Sequence, residues 1–314
     1  MKKITSLCVV VLVAIFMITS CGGATKITMG TGGTAGTYYG FGGVLGQQIK
    51  EDTGHTVTVV STGGSTANIQ GVDDGDYQLA TVQSDVMAYA YNGERLFESN
   101  GKINSFLVIG GLYAEGIQLV TCDPEIKEVT DLKGKSVSVG DNGSGVYFNA
   151  LDVLSAAGLS LEDIKPQYQS FGDSTESLKD GKIDAAFVVA GAPTPSITEL
   201  ATTKGAYLVN ISGEVADNLF ATCPYYMEYV IPAGTYEGQT EDAKTVTVKA
   251  TMIVSSDLDE DTVYDITKSI YGSADKVVHN KAKELTLKNA TTSMTVPFHP
   301  GAAKYFAEQG VAGF

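Results

Sequence analysis

Five times along this chain a β-rich run ends in a cluster of glycine, serine and threonine and passes into a helical pattern. KITMG at 26–30 leads into GTGGTAGTYYG at 30–40 and a helix over 41–51. TVTVVS at 56–61 leads into TGGSTAN at 62–68. YQLATV at 77–82 leads into Gln83-Ser84-Asp85 and a further helix. SVSVG at 136–140 leads into DNGSG at 141–145, and DAAFVV at 184–189 leads into GAPTP and a helix near 196–203. Parallel strands need a long crossover, usually a helix, so this alternation predicts an α/β fold with mainly parallel sheets. Ser, Thr, Asp or Asn stands where each helix would begin, and Asp85 reads as the N-cap of the third.

Two extended stretches interrupt the series. GGLYAEGIQLVTC at 110–122 and TCPYYMEYVIPAGTYEG at 222–238 read as crossings between lobes. After the second come a strong strand at 245–256 and helices starting near Asp259 and Ser273. The chain's 314 residues suit two domains. The expectation is a discontinuous first lobe, 21–115 plus 231–314, wrapped around a continuous second lobe, 116–230, with a ligand cleft between two mixed, mostly parallel sheets. No internal repeat or low-complexity tract is visible.

Formal charge is −15, which disfavours nucleic acid or an anionic surface as a partner. Arg95 is the only arginine, so a bidentate arginine fork is a poor candidate for gripping an oxyanion. Helix N-termini offer another route. Their unpaired N–H groups and dipole attract carboxylate or phosphate without a cationic side chain. The loops at 32–39, 63–68 and 142–146 each stand at such a position. Backbone N–H groups around Gly33, Thr34, Ser65, Thr66, Ser144 and Gly145 are therefore expected to hold a carboxylate. Tyr39, Asn68, Gln83 and Ser84 are expected to orient the rest of the ligand, with Val146, Tyr147 and Gly191 beside them. Tyr38, Tyr113 and Phe148 are further aromatics that either line the cleft or pack in the core.

Gly30, Gly32 and Ala35 also satisfy a relaxed dinucleotide fingerprint, with Glu51 and Asp52 at the distance of a ribose-binding acid. That acid follows a helix instead of ending a second strand, so the fingerprint fails and no cofactor is expected. No metalloprotease, nucleophile-elbow or phosphate-loop motif occurs. His55, His279 and His299 are scattered without metal-ligand spacing, and Asp73–Asp76 lacks the full calcium-loop pattern, so no metal and no catalytic residue are expected.

The N-terminus indicates the compartment. Lys2 and Lys3 precede LCVVVLVAIFMI at 7–18, an uncharged apolar run of signal-peptide length. Ile18-Thr19-Ser20-Cys21 resembles a bacterial lipobox, making 1–20 a lipoprotein signal and Cys21 the lipidated residue of an extracytoplasmic, membrane-tethered protein. Cys122 and Cys223 then remain, either as a disulfide or as two buried thiols.

Together GTGGTAGTYY, STGGSTANI, LATVQSDV, DLKGKSVSVGDNGSG, DGKIDAAFVVAGAPTPSITELA, PYYMEYVIPAGTYEGQTED and VPFHPGAAKYF resemble the TAXI-type solute receptors of TRAP transporters, in that family's order from about residue 26 to 310. The chain departs from that family's common G-S-G-T at Gly143-Ser144-Gly145-Val146. The resemblance implies a two-lobed periplasmic-binding-protein fold of type II, closing on its ligand. It implies capture of a small organic acid or amino acid, glutamate among them, and delivery to an ion-gradient-driven permease; the chain is expected to be a monomer. A ligand-binding sensor lipoprotein, or an exported enzyme on the same scaffold, are the alternatives.

Overall fold

The computed structural model describes residues 24–314; the expected signal segment and Cys21 lie outside them. The first three units form β1 (Lys26–Gly30), α1 (Thr37–Thr53), β2 (Thr56–Val60), α2 (Ser65–Asp73), β3 (Leu79–Gln83) and α3 (Ser84–Asn92). β1 pairs in parallel with β2 on one side and β3 on the other. Three strand ends and three helix starts therefore share one edge. The chain leaves along β4 (Phe106–Thr121) and builds β5 (Ser136–Ser138), α4 (Val146–Ala156), β6 (Lys165–Gln167), α5 (Phe171–Lys179), β7 (Ala185–Ala190) and α6 (Pro195–Thr203). β5 lies in parallel between β6 and β7, so the second lobe repeats the first in topology although the sequence carries no repeat. β8 (Tyr207–Val209), α7 (Glu214–Thr222) and β9 (Met227–Ile231) follow. β10 (Ala243–Ser255) then returns to the first lobe, where α8 (Glu260–Gly272), α9 (Leu287–Thr291) and α10 (Pro300–Glu308) complete it.

The strand order is β2-β1-β3-β10-β4-β7-β5-β6, with β8 on β4 and β9 on β10. The two sheets expected from the sequence are thus one ten-stranded mixed sheet, continuous through β4 and β10. Among the described residues, every strand-to-strand pairing made by β4 or β10 is antiparallel and every other strand pairing is parallel; β4 adds one isolated parallel bridge, Val108 to Phe298. A chain that leaves one lobe and comes back must cross in opposite directions. "Mainly parallel" therefore describes only the outer strands of each lobe.

The return crossing is later than expected. The stretch at 222–238 is not a crossing: β9 is an edge strand that pairs with residues 243–247 of β10. Ile231, Tyr236, Ala243, Val246 and Val248 pack into the second lobe's core. Residues 231–248 therefore stay with the second lobe, and β10 passes to the first only where it meets β3 at 250–254. A β-branched, aromatic run reads alike whether it crosses or edges a sheet.

Helices cover both faces of each lobe's sheet. In the second lobe, Ile117 and Leu119 of β4 face one cluster with Phe187 and Val189, while Val120 faces another with Ala186 and Val188, as strand alternation requires. Those faces decide the cysteines. Cys122 packs on the second cluster with its thiol against Gly205 O at 3.4 Å. Cys223 lies in the first, 3.3 Å from Tyr89 Oη. Both are free thiols, so the disulfide alternative is corrected: the sheet separates them.

Local expectations fared unevenly. Asp259 caps α8 by accepting from Thr262 N at 2.9 Å. The helix expected near Ser273 is a single 3-10 turn, Ala274–Lys276. Asp85 is not the N-cap of α3: Gln83 holds that place, and Asp85 is buried inside the first turn.

Candidate ligand-binding site

The C-terminal ends of six parallel strands face each other across the two lobes and enclose a cavity of about 70 Å³. One water needs roughly 10–15 Å³ counted in this way, so the space suits a small polar molecule rather than a nucleotide. The first lobe contributes Gly32, Gly33, Gly36, Thr37 and Tyr38 at the start of α1. It also contributes Thr62–Ser65 at the start of α2, and Gln83 at the end of β3. The second lobe contributes Asp141, Ser144, Gly145 and Val146 at the start of α4, Ser170 and Phe171 at the start of α5, and Val189 and Ala190 at the end of β7. Glu115, midway along β4, forms part of the wall. Four helices of nine to seventeen residues thus begin at one small space, each bringing first-turn amides without intrahelical acceptors.

The lobes touch on both sides of the cavity. On one side Ala67 N donates to Gly143 O at 3.1 Å, Gln83 Nε2 to Asn149 Oδ1 at 2.6 Å, and Asn149 Nδ2 to Asp85 Oδ2 at 2.8 Å. Arg95 pairs with Asp152 at 2.8 Å further out. On the other side Thr37 Oγ1 donates to Gly191 O at 2.9 Å and Ser196 N to Ala35 O at 3.1 Å. This is a cleft shut by direct contacts.

Among the described residues, no lysine or arginine lines the cavity. Its charged wall residues are Glu115 and Asp141. Glu115 is 1% exposed and accepts a 2.6 Å hydrogen bond from Tyr38 Oη on Oε2. Burial pushes its carboxyl up to about 8; Asp85 adds to the rise, while the Tyr38 bond and Lys281 oppose it. Tyr38 is raised well above the ordinary phenol range, by burial first and then by Glu115. Asp85 is pushed up to about 6 by burial, against the bond from Asn149, and its Oδ1 has no partner. Ser144, 8% exposed, also keeps its hydroxyl without a partner.

Of the residues singled out from the sequence, Gly33, Ser65, Gln83, Ser144, Gly145 and Val146 meet at the cavity wall. Thr34 is on the exposed outer part of its loop, and Tyr39 points outward at 36% exposure. Thr66 lies one residue past the wall, in α2. Ser84 is turned to β10, accepting from Lys249 N at 3.1 Å. Tyr147 packs against Tyr168, with ring centroids 5.9 Å apart. Gly191 supports the site from behind through Thr37. Asn68 is fully buried and holds the first lobe together: its Nδ2 donates to Thr31 O and Thr81 O, and its Oδ1 accepts from Thr62 Oγ1. Asn68→Ala would leave those groups unsatisfied. It is expected to cost about 2–4 kcal/mol of folding stability, read from the urea midpoint at unchanged m.

Sequence reasoning passed over Glu115 and the Ser170-Phe171 turn. Glu115 had a signal: it is the lone charge in the apolar run 110–122, and an isolated carboxyl in a buried strand is expensive unless used. Ser170 had none, because its turn joins two short, weakly patterned elements.

Among the described residues no helix is long and apolar enough to cross a membrane, and no cluster of three metal-ligating side chains occurs. A family model described as the NMT1-like family matches residues 29–310. Among solved structures, the alkanesulfonate-binding protein SsuA of Xanthomonas axonopodis pv. citri, bound to MOPS, is similar at TM-score 0.53 and 17% identity, covering 90% of this chain and 83% of that one. A protein of Bordetella bronchiseptica RB50 is similar at TM-score 0.56 and 15% identity, covering 90% and 89%. A Listeria monocytogenes protein assigned to L-cystine ABC transport is similar at TM-score 0.50 and 14% identity, covering 86% and 98%. At these identities the likeness is one of fold: the two-lobed α/β fold of solute-binding proteins.

Proposed function

The chain belongs to the NMT1-like family, and from that premise we propose that it is an extracytoplasmic solute receptor that captures a small carboxylate or amino acid by closing its two lobes. The observation that carries this is the shut cavity where four helix N-termini converge and where, among the described residues, no basic side chain lines the wall. Such a site grips a carboxylate through backbone N–H groups, and closure follows from tighter binding to the shut form. The mechanism is capture and release, with no covalent step.

The expected test is a thermal shift. Ligand-free protein warmed with a panel of small carboxylates and amino acids should melt higher with a few of them. A flat response across the panel removes the proposal. Ser144→Ala should weaken the best ligand roughly fivefold, the worth of one hydrogen bond of about 1 kcal/mol, while the unliganded melting temperature stays put. Unchanged affinity would take Ser144 out of the site.

The resemblance to TAXI receptors supports a TRAP-type, ion-gradient-driven permease as partner and a lipid anchor at Cys21. Uptake by vesicles carrying receptor and permease should then collapse with an ionophore and survive ATP depletion. The receptor should leave the membrane fraction when Cys21 is replaced by serine. Uptake that tracks ATP would assign it to the other transporter class.

A further inference from the structure

We propose that Glu115 makes this cleft select a ligand carrying an ammonium group beside its carboxylate, a small amino acid rather than the corresponding plain acid. The inference rests on the cleft being a small-acid receptor and adds what the amino group meets there. The cavity has two electrical ends. One is the set of helix starts, which suits a carboxylate. The other is Glu115, 99% shielded from solvent by its own fold yet part of the wall. Its recorded bond is at Oε2, from Tyr38.

Charges facing Glu115 compensate it only in part. From α1 comes Tyr38, a neutral phenol that donates to it. From its own strand comes Tyr113, whose hydroxyl has no partner. From α3 comes Asp85, and from the loop after β5 comes Asp141, both acidic. Lys281, from the 3-10 turn Asn280–Glu284, is the nearby cation. Its Nζ is committed to Glu284 Oε1 at 2.9 Å. A receptor for a plain anion would gain nothing from an acidic wall without a cation. A plain anion would keep Glu115 in its protonated form and gain no charge pairing from it. A bound ammonium supplies the cation the wall lacks. The raised Glu115 carboxyl of the empty cleft then ionises and gives up its proton as the amino acid enters.

The experiment is calorimetric titration of the ligand-free full chain at pH 8 with two pairs of compounds that differ only by the amino group. These are L-glutamate with glutarate and L-alanine with propionate. The expected result is binding at least about thirtyfold tighter for the amino acid in one pair. Its enthalpy should change with the buffer's ionisation enthalpy in the sense of proton release. Glu115→Gln should erase most of that preference, and Glu115→Asp, which keeps the charge, should retain its direction. Equal or tighter binding of the deaminated partner, or proton uptake on binding, overturns the inference and leaves the small-acid receptor standing. A preference that survives Glu115→Gln overturns it too. If none of the four compounds binds, both fall.

Discussion

Gly63→Ala is expected to weaken ligand binding by roughly tenfold to a hundredfold, because it strains the shut form of the protein. A Cβ at 63 would sit 2.8 Å from Asn142 O, a backbone carbonyl of the opposite lobe. Gly63 has no positive φ, so an alanine is unstrained while the lobes are apart. The collision exists only when they shut. Its neighbour is the Ala67 N to Gly143 O bond across the same seam, which the intruding methyl would stretch. Overpacking of this kind costs about 1–3 kcal/mol. Because the open form is free of it, the cost falls on closure and is read as lost affinity. Gly43→Ala, on the exposed side of α1 with open space around it, serves as the control and should bind normally. Titration calorimetry reads the affinity, and small-angle scattering with and without ligand reads the closure. Unchanged binding in Gly63→Ala would mean that the shut geometry is not the ligand-holding one.

Unliganded protein is expected to lose stability, on the order of 3 kcal/mol, between pH 5 and pH 8, and Glu115→Gln to remove most of that loss. The Glu115 carboxyl is held up at about 8 in the folded chain, against about 4.3 when exposed. Between those values the native state binds a proton that the unfolded state has lost. Its stabilising effect is complete below the unfolded value and disappears as pH climbs toward 8, with a limiting slope of about 1.4 kcal/mol per pH unit. Asp85, raised to about 6, contributes in the same direction over the lower part of the window. His279 and His299 oppose it, since burial lowers both and their neutral folded forms are favoured as pH rises through 6.5. Lowered carboxylates such as Asp52, at about 2, are ionised in both states throughout. The contrast between wild type and Glu115→Gln in urea melts at pH 5, 6, 7 and 8 therefore isolates one group. Parallel curves for the two proteins would show that Glu115 is ionised in the empty cleft.

Much of the fold was legible because its signals are local. Five strand-to-helix units appear where the β-rich runs and small-residue clusters place them, and all but the last residue of the long apolar run at 110–122 lies in β4. What failed was relational. β9 resembles a crossing until its partner in β10 is known. Asp85 resembles a cap until Asn149 arrives from the other lobe to occupy it. Asn68 and Ser84 resemble ligand-binding residues until Thr31, Thr81 and Lys249 are seen to use them first.

The chain's composition and pattern by themselves determine three things: an α/β fold, small polar loops at the strand ends, and a chain with a single arginine. The first two follow from local chemistry, because strand, turn and cap preferences act over a few residues. Only the tertiary structure decides which polar groups remain free. Packing within the first lobe uses up Asn68, β10 uses up Ser84, and closing the two lobes uses up Asn149. Ser144 and a buried Glu115 are left facing the empty space. Burial and partnership are set by residues far apart in sequence, so which polar groups stay free is decided by the cleft and not by any one loop.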